Sequence, residues 1–272
     1  MSARQGGQEP FQFRAAAKRV KTLTLARDLK RRRARERHRL FVAEGVRAVE
    51  ELLGSALAVR GLLVSPQLLA APRGRELRAR AEGRGLAVTE VGEEEFASAA
   101  DTDTPQGVLA IAEIPAVDLA ALELSSSGAC LVVLDGVQDP GNVGTILRTA
   151  AALGAAATIA LPGTVDVWNA KVVRSAMGAH FHHPAASCTA DELDAFLSAR
   201  GIPLWGADAR GAPVATLARP RAVALAVGNE GAGLSPALRD RAAQLVSLPI
   251  APRVESLNVA VATGILLYEL RR

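Results

Sequence analysis

The chain has 272 residues, 49% hydrophobic and 22% charged, with a net charge of +4. That balance is globular and excludes a mostly disordered, collagen-like or disulfide-stapled chain, while the length accommodates one large domain or, as expected here, two modest ones. The two cysteines, Cys130 and Cys188, lie far apart and offer no CxxC pair or tetrahedral metal framework, so a reducing compartment is the natural reading.

Residues 1–13 have neither an apolar core nor a periodic pattern and read as a flexible tail, not a secretory signal. From Ala15 to just before Phe41 the spacing predicts one basic helix with a narrow apolar stripe at Val20 and Leu23. Between Arg14 and Arg39 twelve Lys or Arg stand against Asp28 and Glu36, a local charge of +10, while the other 246 residues sum to −6. Such a block meets phosphate backbones by counterion release, and Lys30, Arg31, Arg32, Arg33, Arg35 and Arg39 are the candidate nucleic-acid contacts. The bland alternative is a solvated helix face or a loose basic arm. Aromatics are 3% of the chain, too few for base-stacking platforms.

FVAEGVRAVEELL follows, with Val46, Val49, Leu52 and Leu53 at helical spacing. Strands are predicted at Ala58–Val64, Leu86–Val91 and Gly107–Ile114, with a helix over Gly74–Ala81, giving a small N-terminal α/β layer over 14–114. Residues 115–128, with a serine cluster near their end, are the expected linker. Beyond it, the apolar runs at Ala129–Leu134, Ala157–Leu161, Leu204–Gly206, Ala222–Val227 and Leu245–Leu248 read as buried strands alternating with helices, a mostly parallel α/β domain over 129–272. The longest apolar stretch, Val259 to Leu267, is well short of the roughly 20 residues of a spanning helix. No membrane role is expected, and a cytoplasmic location is.

The chain lacks GxGxxG after a strand, GxxxxGK[ST] and GxSxG, which disfavours ordinary dinucleotide binding, P-loop hydrolysis and a lipase-like triad. No carboxylate or thiolate completes a metal shell around His180, His182 and His183, so these are expected to face solvent or RNA and no metal is expected. Three polar clusters remain, each where a buried strand ends. In DGVQDPGNVGTILRTA, Asp-Pro-Gly forms a turn, Asn142 is the expected N-cap, and Arg148 is a charge on an apolar helix, either snorkelling or aimed at an anion. In VGNEGAGLSP, three glycines let the backbone approach a ligand, and Ser235 with Pro236 starts a helix. Beyond LPIAPRVES, a helix apolar on nearly every side is expected from Leu257, buried in a core or an oligomer interface, with Ser256 as its cap and Arg271 and Arg272 at its C-terminal dipole.

In order and spacing, DPGNVGTILRTAAALGA, VGNEGAGLS and LPIAPRVESLNVAVATGILLYE resemble motifs one, two and three of the SpoU (TrmH) family of RNA methyltransferases in the SPOUT superfamily. RSAMGAHFHHP is similar to the stretch between motifs one and two, and FVAEGVRAVEELL with TPQGVLAI to the family's RNA substrate-binding domain. The resemblance implies methyl transfer from S-adenosylmethionine to a ribose 2′-hydroxyl of ribosomal RNA, most of all large-subunit RNA, by a homodimer whose C-terminal domain is knotted as a trefoil around the cofactor. The alternatives are the same reaction on transfer RNA, or an RNA-binding factor without catalysis. By the same resemblance, Arg148, Asn142, Glu230, Ser256 and Asn258 are the catalytic candidates, Arg148 serving as the base or as the group that positions a phosphate as base. Gly228, Leu248, Ile250 and Leu257 are the candidates for receiving the adenosine part. The chain departs from the family in having Arg39-Leu40 before FVAEG, where a glycine is common, and in its dense basic run.

Overall fold

The computed structural model describes residues 9–124 and 129–271, which fall into two compact units divided between Ile114 and Pro115. Residues 1–8 of the expected tail, 125–128 of the expected linker and Arg272 lie outside the described residues.

The first unit runs α1 (Glu9–Asp28), α2 (Arg32–His38), β1 (Leu40–Glu44), α3 (Val46–Gly54), β2 (Val59–Val64), α4 (Pro66–Ala70), α5 (Pro72–Gly83), β3 (Val88–Glu90), α6 (Glu93–Ala99) and β4 (Val108–Glu113). Its sheet has the order β1-β4-β2-β3, with β4 antiparallel to both neighbours and β2 parallel to β3. The expected tail is shortened, because α1 is already helical at Glu9. The single basic helix is two. Leu23, Ala26 and Leu29 pack into a core with Val42, Leu63, Phe96 and Ile111, so α1 is part of the fold and not a loose arm. It ends where the Arg35 guanidinium reaches back and donates to the carbonyls of Leu29 and Lys30 at 2.8 and 2.9 Å, filling acceptors that the interruption of the helix exposes. The short helices α4 and α6 were not anticipated; α6 has Glu93, Glu94 and Glu95 in its first turn, where the helix dipole favours acids, and Glu95 accepts from the Gly92 N–H.

The second unit runs β5 (Ala129–Asp135), α7 (Pro140–Ala152), β6 (Ala157–Ala160), α8 (Ala170–Ser175), β7 (Ala185–Ser187), α9 (Ala190–Ala199), β8 (Leu204–Pro213), β9 (Ala222–Gly228), α10 (Pro236–Arg241), β10 (Gln244–Ser247) and α11 (Val259–Arg271). The six strands form an all-parallel sheet in the order β10-β8-β9-β5-β6-β7. Central strands buried on both faces explain the unbroken apolar runs, and Leu131, Val133, Ile159, Leu204, Ala224 and Ala226 share one core with Leu193 and Leu197 of α9. The described part of the expected linker is no tether: Leu119, Leu122 and Leu124 pack on this core, and Arg200 donates to the Leu122 and Ala120 carbonyls. Among the described residues no helix is long and apolar enough to cross a membrane.

Helices α7 and α8 cross closely because Gly144 has no side chain: a Cβ there would sit 2.4 Å from Ser175 Cβ and 2.7 Å from the Val172 carbonyl oxygen. Gly144→Ala must push the helices apart and is expected to lower stability by about 1–3 kcal/mol, measured by urea denaturation. An unchanged midpoint would contradict this packing.

Candidate active site

The carboxyl-terminal halves of β8, β9 and β10 open onto a cleft of about 600 Å³ in the second unit. Its walls include Gly228, Glu230, Leu248, Ile250, Ser256, Leu257 and Asn258, so seven of the nine expected catalytic and cofactor residues meet in one place. This is the crevice outside the strand ends in which open parallel sheets hold ligands.

Three segments distant in sequence are tied at its rim by side-chain amides. Asn142 Nδ2 donates to Glu230 Oε1 at 3.0 Å, and Asn258 Nδ2 donates to Asn142 Oδ1 at 2.9 Å. Asn258 Oδ1 accepts from the backbone N–H groups of Ala260 and Val261 at 2.9 and 3.3 Å. An ionised carboxylate can only accept, which orients Asn142 and through it Asn258. Partial burial pushes the Glu230 carboxyl upward, but the bond from Asn142 and the backbone N–H groups of Glu230 itself, Gln138 and Asp139 outweigh it. Its pKa therefore lies below the usual carboxylate value.

These bonds correct two capping expectations. Asp139, not Asn142, caps α7: its carboxylate accepts from the Asn142 N–H at 2.7 Å, and Pro140 occupies the first helical position, where a missing N–H costs nothing. The side chain of Asn142 is thereby free to face Glu230. Asn258, not Ser256, caps α11, which begins two residues later than expected, and Ser256 is an exposed wall residue. The Ser235 cap and Pro236 start of α10 are as expected, with Ser235 Oγ accepting from Leu238 N–H.

The glycine loop is shaped by Asn229, which was not singled out in the sequence. Its Oδ1 accepts from the N–H groups of Gly231 and Ala232 at 2.9 and 3.0 Å, and its Nδ2 donates to the Gly136 carbonyl at 3.0 Å. Beneath it, a Cβ on Gly228 would lie 2.1 Å from the Gly233 carbonyl carbon. The absent side chain at Gly228 thus lets the loop fold over its own strand end, a structural need alongside any contact with a ligand. Asp208, with Arg239 and Arg210 beside it, forms another wall that sequence reasoning missed, since three separated charges left no local pattern.

Arg148 is the exception. It is exposed on α7, forms no hydrogen bond or ion pair among the described residues, and lies outside the walls of the cleft. On the outer side of α11, Val261, Ile265 and Tyr268 are 51%, 42% and 53% exposed, so the helix is not buried all round.

The histidine expectation is corrected for two of the three. His180 and His183 are buried, and only His182 is exposed. Burial pushes the His180 pKa down to about 3, with His183 adding to the effect, and that of His183 down to about 4, so both are neutral. Thr158 Oγ1 bonds His183 Nε2 at 2.8 Å, and the His180 ring meets the Trp168 ring edge-on, their centroids 3.9 Å apart. No group of three or more possible metal ligands occurs among the described residues.

In the first unit the basic candidates divide. Arg35 is buried and caps α1, so it does not face a ligand. Lys30 donates to the Ser98 carbonyl, Arg31 pairs with Asp28 at 3.8 Å and Arg32 with Glu36 at 2.7 Å, while Arg33 and Arg39 are exposed.

Residues 129–268 match the SpoU rRNA methylase family, and residues 18–110 match the MRM3-like substrate-binding domain. The chain is 36% identical to the 23S rRNA (guanosine(2553)-2′-O)-methyltransferase RlmP of Bacillus subtilis over 88% of its length and 92% of that protein's. It is 34% identical to a 23S rRNA (uridine(2479)-2′-O)-methyltransferase of Streptomyces viridochromogenes, over 88% and 84% of the two chains. The crystal structure of the SpoU methyltransferase AviRb from S. viridochromogenes with AdoMet superposes with a TM-score of 0.82 at 31% identity, covering 92% of this chain and 97% of that one. An AdoMet-bound rRNA methyltransferase from Sinorhizobium meliloti gives a TM-score of 0.81 at 33% identity, covering 92% and 94%.

Removing the Asn142 amide takes away a bond that favours the charged form of Glu230. Asn142→Ala is expected to raise the Glu230 carboxyl midpoint, followed by carbon-detected NMR titration. Its protonation then begins at higher pH on acidification, and an unmoved midpoint would disconnect the two residues.

Proposed function

The chain belongs to the SpoU rRNA methylase family, and we propose that it transfers a methyl group from S-adenosylmethionine to a ribose 2′-hydroxyl of large-subunit ribosomal RNA. The observation that carries this reading is the cleft in which Gly228, Glu230, Leu248, Ile250, Ser256, Leu257 and Asn258 meet. Two relatives of nearly equal identity both methylate 23S rRNA ribose but act on different nucleosides, one a guanosine and the other a uridine. The proposal therefore extends to the reaction and the RNA, and mapping supplies the nucleotide.

The cleft suits the cofactor. Its volume of about 600 Å³ lies within the range of roughly 300–1,000 Å³ common to small-molecule sites. Leu248, Ile250 and Leu257 offer apolar surface for the adenosine part, and the ionised Glu230 suits a cationic donor. Bound there, S-adenosylmethionine would supply a methyl group already activated on a sulfonium. What the protein must add is alignment and help with the proton of a hydroxyl scarcely ionised at neutral pH. Asn142 and Asn258, with their amides oriented by Glu230, hold polar groups in fixed directions at the rim. Ser256 offers a hydroxyl to the bound substrate or cofactor. A guanidinium stays protonated in proteins, so Arg148 acts by holding an RNA phosphate beside the reacting hydroxyl.

Arg148 lies outside the cleft of its own chain, and this supports placing the reaction in a homodimer. The exposed stripe of Val261, Ile265 and Tyr268 is the apolar face such a dimer would bury. Family membership carries the proposal further, to a trefoil knot in the second unit and a cytoplasmic enzyme. Of the basic residues, Lys30, Arg31, Arg32, Arg33 and Arg39 remain proposed RNA contacts.

The test is methyl transfer from labelled S-adenosylmethionine to ribosomal RNA from a strain lacking the gene, followed by mapping of blocked 2′-hydroxyls. One modified ribose in large-subunit RNA is expected; label in transfer RNA alone, or none, would overturn the assignment. Arg148→Ala should cut the rate by about 100-fold or more with cofactor affinity nearly unchanged, and wild-type turnover would remove Arg148 from the reaction.

A further inference from the structure

A second cavity, of about 330 Å³, lies entirely within the first unit, where the first turns of α3, α4 and α5 come together. Its apolar lining comes from Val46, Leu68 and Ala71, and its polar lining from the amides of Gln67 and Gln106 and the guanidinium groups of Arg47 and Arg73. These polar groups differ in how far they are committed. Arg73 is held by Glu50 through two hydrogen bonds of 2.8 and 2.5 Å, which satisfy the one carboxylate known to pair there. Gln106 Oε1 accepts from the Val46 N–H at 2.8 Å, which turns its Nε2 donors outward from that contact. Arg47 and Gln67 are exposed and form no side-chain hydrogen bond or ion pair among the described residues. None of the three helices has an acidic residue in its first turn, and Glu50, farther along α3, is hydrogen-bonded to Arg73 and acts on Arg47 only through space.

We infer that this cavity is an RNA subsite that seats one unpaired nucleotide of the substrate, with the base against Val46, Leu68 and Ala71 and the adjoining phosphate on Arg47. The inference rests on the proposed function, since it takes ribosomal RNA as the substrate, and it adds a place where that RNA is read away from the reacting ribose. An apolar floor accepts the face of a base, and primary amides carry a donor and an acceptor suited to base edges. A guanidinium whose N–H donors no carboxylate occupies suits a phosphate, through paired N–H donors. The carboxylate on Arg73 argues against an acidic ligand binding at both arginines, so the phosphate is assigned to Arg47 alone.

The division of labour gives two distinct signatures. With an in vitro transcript of the whole large-subunit RNA as probe and the full chain as binder, Arg47→Ala is expected to weaken binding about tenfold. It should also flatten the dependence of log affinity on log salt by about 0.7 to 0.9, the share of one phosphate contact. Gln67→Ala is expected to weaken binding by about threefold to tenfold with the salt slope unchanged, because it removes a neutral hydrogen bond. Both residues are exposed, and thermal denaturation checks that both variants fold. In methyl transfer, the two substitutions should raise the KM for RNA and leave kcat and cofactor affinity unchanged. Wild-type affinity and slope in both variants, with methyl transfer intact, would overturn the inference and leave the proposed function standing, the cavity then falling to a protein partner. If the wild-type chain transferred no methyl to RNA, the proposed function would fall, and the binding data would still decide whether RNA occupies this cavity.

Discussion

The second unit depends on an acceptor-only group placed among amides. Glu230 stands in the loop just beyond β9, Asn142 in the first turn of α7 and Asn258 at the start of α11, and their side chains form a directed chain of hydrogen bonds ending on the backbone of α11. Each primary amide could be turned either way in isolation; an ionised carboxylate at one end and helix N–H groups at the other leave one arrangement that satisfies all of them. The same bonds that fix the rim also pin three chain segments to one edge of the sheet. Stability and site geometry are in this sense one interaction, and its strength requires Glu230 to remain charged.

The parallel sheet is what brings those segments together. With β5, β8, β9 and β10 all running the same way, every connection emerging at the carboxyl edge is delivered to one side of the molecule's second unit. Capping then aims the side chains. Because Asp139 and Pro140 take over the start of α7, the Asn142 side chain is released from capping and bonds Glu230 and Asn258 at the rim of the cleft. Asn229 does the corresponding work in the glycine loop, where it binds two N–H groups of its own turn and a carbonyl of the neighbouring loop. In the first unit the counterpart is Arg35, whose burial converts a basic run into two helices and ties α1 to the fold.

Much of this was legible in the residues. Unbroken apolar runs at Ala129–Leu134 and Ala222–Val227 announced strands buried on both faces, because a strand with a solvent side would alternate. The convergence of Glu230 and Asn258 was legible only through the resemblance of three motifs, since nothing in local spacing relates residues so far apart. The caps were misread because Asn142 and Ser256 are good capping residues on propensity, whereas the choice was made by the neighbouring Asp139, Pro140 and Asn258. The histidines were misread for a related reason: a polar run after a short helix looks solvent-facing, and only the packing of Trp168 and Thr158 makes His180 and His183 interior. A block of twelve cations likewise says nothing about which of them the fold will use, and Arg35 is spent on carbonyls. A charge on an apolar helix left Arg148 two readings, exposed or aimed at an anion within its own chain, and no local pattern chose between them.

The account is tested most directly by calorimetric titration of S-adenosylmethionine into the wild-type chain and into Asn258→Ala. Removing that amide breaks the chain of bonds at its middle and loosens a wall of the cleft, so the wild type should bind one cofactor per chain and the variant should bind at least about tenfold more weakly. Equal affinity in the two proteins would contradict the claim that this hydrogen-bonded rim builds the cofactor site, and no binding to the wild type would contradict the assignment of the cleft itself.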